Sequence, residues 1–548
     1  MDRTVTLRVT RNVVASINAD ECVNCSTCRD YCPVEAISEK QKVICHLCPD
    51  CTEIKPITPD EMIKMQSEAC TLSCPVGLSP QGFLNLLRVG KEREAFENIW
   101  DKNPLPAVCG YVCHHPCESD CKRGKLVDRP MEIRAIQRFL SEEYIDYQPA
   151  PYPVLHQELI AVIGAGPAGL TAAHWLSQRG YKVTVFEQNA EPGGMMLRGI
   201  PAFRLNKETL RKEIARLEKA GINIVYNTKI HDAEELLKDF DKVVVSAGTQ
   251  VGKTLPIEGF RTEKVHTAVN LMERVNAGQK IELSGNVVVI GGGSVATDTA
   301  RTALRLGADK VTMICLESGT EVPAHDWELA EAKEEGIGLI EGVAPVRFLG
   351  SSSKLTGVEY VHIEDFNAKN GSFKTLKGTE ESLPADSVII AIGQRADREW
   401  PKNPDVVLAG DIASGKCSVV DAMASGREAA LRIDNELRGG EYTDFTVERS
   451  VSPGSLDHKI YPAVRRKLDF PPVDKLPAEK RRETFDLVEK DMTEDTAHTE
   501  TLRCLQCGYH EVDEDKCIGC GVCLKVCPKG DVISMVAVRD GEEAVNNG

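Results

Sequence analysis

No stretch of the 548 residues approaches the ~18 consecutive apolar positions that a bilayer-spanning helix needs. The opening residues, MDRTVTLRVTRNVVASINADEC, lack the apolar core of a secretory signal and read as a short strand entering a cysteine cluster. Positive charge is in deficit: the formal net charge is -17, which argues against nucleic acid and anionic membrane surfaces as partners. No acid/base pair or catalytic nucleophile stands out. Cysteine is nearly missing from the middle, where only Cys315 and Cys417 occur, and both read as buried structural residues.

What the middle lacks, the ends hold. Thirteen cysteines lie between Cys22 and Cys121 and six between Cys504 and Cys527. Disulfide frameworks belong to small secreted domains, so this abundance points to metal or cluster ligands in a reducing cytoplasm. CVNCSTCRDYCP places Cys22, Cys25, Cys28 and Cys32 in the C-x2-C-x2-C-x3-C-P run of bacterial ferredoxins, and CIGCGVCLKVCP repeats it with Cys517, Cys520, Cys523 and Cys527. Three closely spaced thiolates of one loop suit three irons of one [4Fe–4S] cube. Zinc more often takes two separated C-x2-C pairs. In two-cluster ferredoxins the fourth cysteine ligates the other cube, so Cys32 and Cys527 are candidates to serve neighbouring clusters. Cys45, Cys48 and Cys51 (CHLCPDC) and Cys504 and Cys507 (RCLQCG) are candidates to complete such sites.

The stretch between is α/β. ELIAVIGAGPAGLTAAHWLSQRGYKVTVFEQ reads as strand, glycine turn, helix and second strand. Gly164 permits the tight turn, Gly166 lets backbone approach a pyrophosphate, and Gly169 lets helix and strand pack closely, with Glu187 placed for a ribose diol. A second unit, GNVVVIGGGSVATDTARTALRLGADKVTMICLE, carries Gly291, Gly293 and Ala296 in the three small-residue positions. Two units imply two dinucleotides, most economically FAD and a nicotinamide. In VVLAGDIASGKCSVVDAMASGREAA, Asp411 follows a strand and precedes a helix, a context suited to a flavin ribityl hydroxyl. SVIIAIGQRAD reads as the strand returning to the first domain, so the second unit is expected to be inserted in the first.

These motifs, with NPLPAVCGYVCHHPCESDC, EPGGMMLRGIPAFRL and VVVSAGT, make residues 56–440 resemble the glutamate synthase small-subunit family of FAD-dependent oxidoreductases. That family includes the N-terminal half of dihydropyrimidine dehydrogenase and the large subunit of NADH-dependent ferredoxin:NADP transhydrogenase. The resemblance implies that the first unit binds FAD, with Gly193, Gly194, Met195 and Asp411 nearby, and that the second binds the nicotinamide dinucleotide. It also implies two [4Fe–4S] clusters in the helical segment. One takes Cys70, Cys121 and an upstream C-x2-C pair. The other takes Cys74, Cys113, Cys117 and Gln137, with Cys109 left over. Packing or surface roles are expected for His114 and His115. The chain departs from the family where Cys48 and Cys51 are separated from Cys70 by eighteen residues. Either that loop folds back, or the pair belongs to the N-terminal ferredoxin unit.

The family usually ends the strand after the second glycine turn in a basic pair suited to the 2′-phosphate of NADPH. Here VTMICLESG reads as a strand ending on Glu317, and a carboxylate there welcomes a ribose diol and repels a phosphate. NADH is therefore expected over NADPH, unless a basic residue from elsewhere, such as the VPAHDWE loop, supplies the phosphate contact.

The fold expected is α/β with two nested Rossmann-like domains. A ferredoxin-like segment spans 1–55, a helical iron–sulfur domain 56–150, an FAD domain 151–285 and 385–440, an NAD(P)H domain 286–384, a connector 441–500 and a second ferredoxin-like domain 501–548. The function expected is NAD(P)H-dependent electron transfer through FAD and [4Fe–4S] clusters, in either direction, with no catalytic side chain. The chain would be the pyridine-nucleotide subunit of a larger soluble redox complex, in contact with other redox subunits and with ferredoxin, and a candidate for electron bifurcation. The alternative is a glutamate synthase small subunit.

Overall fold

The computed structural model describes residues 13–18, 22–30, 32, 36–41, 43–44, 70–126, 128–257, 264–351, 354–367, 371–415, 418–438, 460–461, 473–512, 522–529 and 532–537. Cys45, Cys48, Cys51, Cys417, Cys517 and Cys520 lie outside the described residues. The chain divides into two compact units. One comprises residues 1–150, 443–473 and 491–548, the other 151–442 and 474–490.

The second unit holds two parallel sheets. Strands Leu159–Ile163, Lys182–Phe186, Asn223–Val225, Lys242–Val245 and Val406–Leu408 form the first, with Leu159–Ile163 central and Val406–Leu408 at one edge. The run VVV in Lys242–Val245 is buried on both faces, as a central parallel strand covered by helices requires. The chain leaves this sheet after Val245 and re-enters it at Val406. In between it builds the second sheet, in the order Gly338–Ile340, Lys310–Ile314, Asn286–Ile290, Ser387–Ile390, Val265–Thr267. An antiparallel sheet of Val343–Ser351, Lys354–Asn367, Ser372–Thr375 and Glu381–Pro384 interrupts it.

One strand differs from its sequence reading. Ser387–Ile390, expected to return to the first sheet, pairs in parallel with Asn286–Ile290 in the second. All four of its residues are buried, so it is a central strand. The return follows it: Gln394–Arg395 pairs antiparallel with Val251–Gly252, so the outgoing and incoming crossings lie side by side.

In the first unit, helices Pro80–Arg88, Glu92–Lys102, Pro106–Val112 and Ile133–Glu143 surround an apolar interior that includes Phe83, Leu87, Phe96, Ile99 and Ile136. Ser79 caps the first of these, accepting from the Gly82 N–H, and proline stands at its first position. The N-terminal and C-terminal cysteine runs form one body. Val13–Ile17 pairs antiparallel with Ile533–Ala537, and Ile37–Gln41 with Gly508–Val512. Each run supplies two strands and a short helix, Thr27–Asp30 or Val522–Val526.

Candidate flavin, nucleotide and iron–sulfur sites

The first glycine turn opens onto a cleft. Gly164, Gly166, Glu187, Gly194, Met195 and Asp411 all line it. Gly164 donates its N–H to the Phe186 carbonyl at 2.8 Å, which locks the turn onto the end of the neighbouring strand. A Cβ on Gly169 would overlap the Gly164 carbonyl oxygen, whereas one on Gly166 would meet nothing within 4 Å. The third glycine is thus a packing requirement, and the second leaves open space where a pyrophosphate would approach. Gly193 does not line the cleft; its N–H holds the Ala165 carbonyl at 2.8 Å.

Glu187 is buried and oriented by backbone: Ala165 N–H donates to Oε2 at 3.0 Å and Asn189 N–H to Oε1 at 2.9 Å. Arg198 stands 3.7 Å from the same carboxylate. Thr249 donates its hydroxyl to Asp411 at 3.2 Å, joining the segment after Val245 to the helix that starts at Asp411. The sequence reading missed Thr249, Arg198 and Asn189. Thr249 closes VVVSAGT and Arg198 lies within EPGGMMLRGIPAFRL, so both had a signal, whereas Asn189 had none. Trp400 also lines the cleft, and its buried indole N–H has no partner among the described residues. Open space at Gly166, a diol-accepting carboxylate and an unpaired donor fit an FAD.

The second turn repeats the register. Gly291 N–H bonds the Ile314 carbonyl at 2.9 Å, Gly293 faces open space, and Ala296 is fully buried in the third small position. The strand, however, ends at Ile314 and does not continue to Glu317. Its partner Gly338–Ile340 is three residues long; beyond it Cys315 N–H bonds the Ile340 carbonyl at 3.1 Å, and the Cys315 and Glu317 carbonyls accept from Val343 and Gly342 N–H at 2.9 and 3.2 Å. Cys315 therefore occupies the position that Glu187 holds in the first turn. Glu317 still reaches the turn from its loop: its Oε2 lies 3.4 Å from the point where a Cβ on Gly292 would stand. Burial pushes the Cys315 thiol up to about 12, and the charges of Glu317 and Glu341 add to the push. The VPAHDWE loop covers the same turn through an Ala324 N–H to Gly292 carbonyl bond of 3.0 Å.

Arg204, from the segment that follows the cleft-lining Met195, reaches the helix of the second turn. Its guanidinium lies 2.8 Å from Asp298 and 2.9 Å from Glu328. Asp298 belongs to the helix that the second turn starts, and Glu328 also accepts from Ser294, the first residue of that helix, at 2.5 Å.

In the ferredoxin-like body, Cys22, Cys25, Cys28 and Cys527 line one small cavity with Ile17, Val23, Val532 and Ile533. The fourth cysteine comes from the other run. Cys32 packs in the same apolar cluster as Cys523 and accepts from the Ala36 N–H at 3.3 Å. In the helical part, Cys74, Cys113 and Cys117 lie within electrostatic reach of one another. Gln137 is buried on the helix Ile133–Glu143, and its Nε2 donates to the Pro106 carbonyl at 2.8 Å, which leaves Oε1 as the atom able to ligate. Cys109 is buried in the helix Pro106–Val112. Cys504 lies within reach of Cys121.

Burial pushes the thiols up, Cys25 and Cys504 to about 11 and Cys113 to about 12, with Cys28 and Cys117 higher still. Grouped thiols in such surroundings stay protonated unless a cation replaces the protons. All-cysteine groups at ferredoxin spacing suit iron–sulfur clusters as that cation.

The chain matches family models over most of these regions. Residues 159–416 match pyridine nucleotide-disulphide oxidoreductase, residues 62–148 match dihydropyrimidine dehydrogenase domain II, 4Fe-4S cluster, and residues 15–38 and 510–531 match 4Fe-4S binding domain. Among curated relatives, the NAD-dependent dihydropyrimidine dehydrogenase subunit PreT of Escherichia coli (strain K12) is 34% identical over 398 residues, covering 68% of this chain and 91% of that one. The NADP(+)-dependent formate dehydrogenase subunit beta of Moorella thermoacetica is 32% identical over 435 residues, covering 69% and 61%. The NADPH-Fe(3+) oxidoreductase subunit beta of Geobacter sulfurreducens (strain DL-1 / KN400) is 33% identical over 360 residues, covering 63% and 53%. The chain thus spans 61% and 53% of the length of the last two. With two dinucleotide turns, a cleft at the first of them and ferredoxin-type cysteines in place, the chain belongs to the pyridine nucleotide-disulphide oxidoreductases that carry the 4Fe-4S domain of dihydropyrimidine dehydrogenase, and it is an NAD(P)H oxidoreductase with FAD and iron–sulfur domains.

Proposed function

We propose that the chain is the NADH port of a multi-subunit redox complex, passing electrons between the nicotinamide and a ferredoxin-type partner. The observation that carries the choice of nucleotide is the pair of carboxylates beyond the second turn. Glu317 approaches Gly292, and Glu341 holds the Gly319 N–H at 2.7 Å in the same loop. A 2′-phosphate placed there would face two like charges, whereas a ribose diol would find an acceptor. The relatives named above include both NAD- and NADP-dependent proteins, so nucleotide choice varies within the family and has to be read from local residues.

FAD, when bound, accepts a hydride and releases electrons singly, the chemistry that links a nicotinamide to iron–sulfur clusters. The chain's residues bind and orient. Glu187 and Asp411 would hold the FAD hydroxyls, Gly166 would admit the pyrophosphate, and Arg204 anchors the helix that the second turn starts. Among the described residues no helix is long and apolar enough to cross a membrane. Relatives named as subunits support assembly with other redox chains.

Anaerobic stopped-flow bleaching of the flavin, NADH against NADPH, tests this reading. Fast bleaching by NADH alone, shifting toward NADPH in Glu317→Arg, is the expected result. Bleaching by NADPH alone in the unaltered protein overturns it.

A further inference from the structure

Nothing in the described residues places an upstream C-x2-C pair beside Cys70 and Cys121. Cys504, the first of another C-x2-C pair, lies within electrostatic reach of Cys121. We infer that Cys504 and Cys507, from beyond the flavin and nucleotide domains, join Cys70 and Cys121 to hold a [4Fe–4S] cluster. This rests on the reading of the chain as an iron–sulfur flavoprotein and adds which residues build one of its clusters.

Three observations carry the assignment. First, the two cysteine segments are stapled reciprocally. Arg123, two residues after Cys121, donates to the Arg503 carbonyl at 2.6 Å. Arg503, immediately before Cys504, donates to the Arg129 carbonyl at 2.7 Å and to Asp128 at 3.0 Å. Asp128 in turn receives Arg123 through both oxygens, each at 2.7 Å. Glu500 accepts the Glu132 N–H at 3.0 Å. Both guanidiniums are fully buried, so this junction is fixed. Cys70 joins it through the next turn, where Ser73 donates to Asp120 at 2.8 Å, beside Cys121. Cys70, Cys121, Cys504 and Cys507 are all buried.

Second, the loop between Cys504 and Cys507 has the backbone of a cluster loop. Five described non-glycine residues have positive φ: Asn24, Ser26, His115, Asn227 and Gln506. Four of them lie inside cysteine loops. Asn24, His115 and Gln506 each stand two residues after a cysteine, with φ of 56°, 48° and 50°. Asn24 N–H points at Cys22 Sγ at 3.4 Å and His115 N–H at Cys113 Sγ at 3.3 Å. Gln506 N–H makes the same bond to Cys504. This left-handed turn is unfavourable for a residue with a side chain, and it aims an N–H at the sulfur of a thiolate ligand. Two cysteine loops with independent ferredoxin-type or family matches share it, and the Cys504 loop makes the third.

Third, the loop docks where electrons would pass. Gln506 donates its side-chain amide to Asn85 at 3.1 Å on the helix Pro80–Arg88. Gly82, one turn earlier on that helix, is pressed against the Cys25 loop: an added Cβ would lie 2.6 Å from Cys25 Cα. Residues three apart share a helix face. The loop that lines the Cys22–Cys25–Cys28–Cys527 cavity and the loop of the proposed cluster are thus neighbours on one helix.

The test is anaerobic purification of full-length Cys504→Ser/Cys507→Ser and Cys48→Ser/Cys51→Ser, with iron content, FAD content and electron paramagnetic resonance of the reduced protein. The expected result is that the first variant loses about four iron atoms per chain and one cluster signal while keeping its FAD. The second variant keeps that signal. If the double variant is insoluble, single Cys507→Ser serves, since a serine oxygen in place of a ligating thiolate shifts the signal. Full iron and an unshifted spectrum in the 504/507 variants, or loss of the same signal in the 48/51 variant, overturns the assignment. An unaltered protein without iron would instead overturn the reading on which it rests.

Discussion

The two glycine turns of the flavin and nucleotide domains are built to one register and finished differently. In the first, the acid follows the strand directly. Glu187 is buried, and its carboxylate is bonded by the N–H groups of Ala165 and Asn189. In the second, Cys315 has that position and the acid comes from a loop two residues later, half-buried and lying over Gly292. An acid fixed by the backbone of the turn is part of the fold. An acid on a loop can be exchanged without disturbing it. On the function proposed above, the nucleotide site could be altered at Glu317 without disturbing the flavin site.

The largest effect expected concerns what stands behind each turn. Helix Pro167–Gln178 packs against helix Val419–Arg438, where a Cβ on Gly426 would overlap the Ala168 carbonyl. Helix Ser294–Arg305 is backed by ion pairs: Arg301 and Arg305 meet the buried Glu335 at 2.6 and 2.7 Å. Glu335→Gln leaves two buried guanidiniums short of charge and should cost about 3–5 kcal/mol in denaturant unfolding. The two arginines hold the Glu335 carboxyl below its ordinary value of 4.5, against the opposing push of burial. Its contribution is therefore complete above pH 4.5 and lost as pH falls through the lower folded value. A scan of Tm against pH should show the wild type losing stability below pH 4.5 more steeply than Glu335→Gln.

Next comes the third small position. Gly169→Ala drives a methyl into the Gly164 carbonyl and should cost about 3 kcal/mol, with loss of FAD on gel filtration. Ala296→Gly, at the equivalent place, should cost only about 1 kcal/mol through helix propensity. Equal effects would erase the distinction between the turns.

Glu187→Ala strands the buried Ala165 N–H, at about 1–3 kcal/mol, and should lower FAD retention. Glu317→Ala, the smallest effect, should change stability by less than about 0.5 kcal/mol while narrowing the NADH over NADPH ratio in steady-state kinetics. A large loss of stability in Glu317→Ala would show that the second acid is also part of the fold.

What was legible in the sequence was local. The glycine turns, the strands entering them and the ferredoxin runs are each written within thirty residues, because the turn geometry and ligand spacing are short-range demands. What was not legible depends on long-range pairing. SVIIAIG is a good parallel strand for either sheet, and only its pairing with Asn286–Ile290 decides between them. The strand before Glu317 ends at Ile314, opposite Ile340 of its three-residue neighbour, a pairing that the sequence of VTMICLESG does not contain. The placement of RCLQCG beside Cys121 depends on Arg123 and Arg503, 380 positions apart. Their signal, an arginine flanking each cysteine, is visible only once the pairing is known.

The pairing of the first strands with the last has a consequence for synthesis. Cys22, Cys25 and Cys28 leave the ribosome early, but the cavity that they line is closed by Cys527, Val532 and Ile533. At ~5–20 residues per second, the roughly 500 residues between take about 25–100 s to make. Through that interval Cys527 and the strand Ile533–Ala537 are not yet there to complete the cavity. Cluster loading of this body is therefore a step that follows translation, and the flavin and nucleotide domains, complete by residue 490, are free to fold ahead of it.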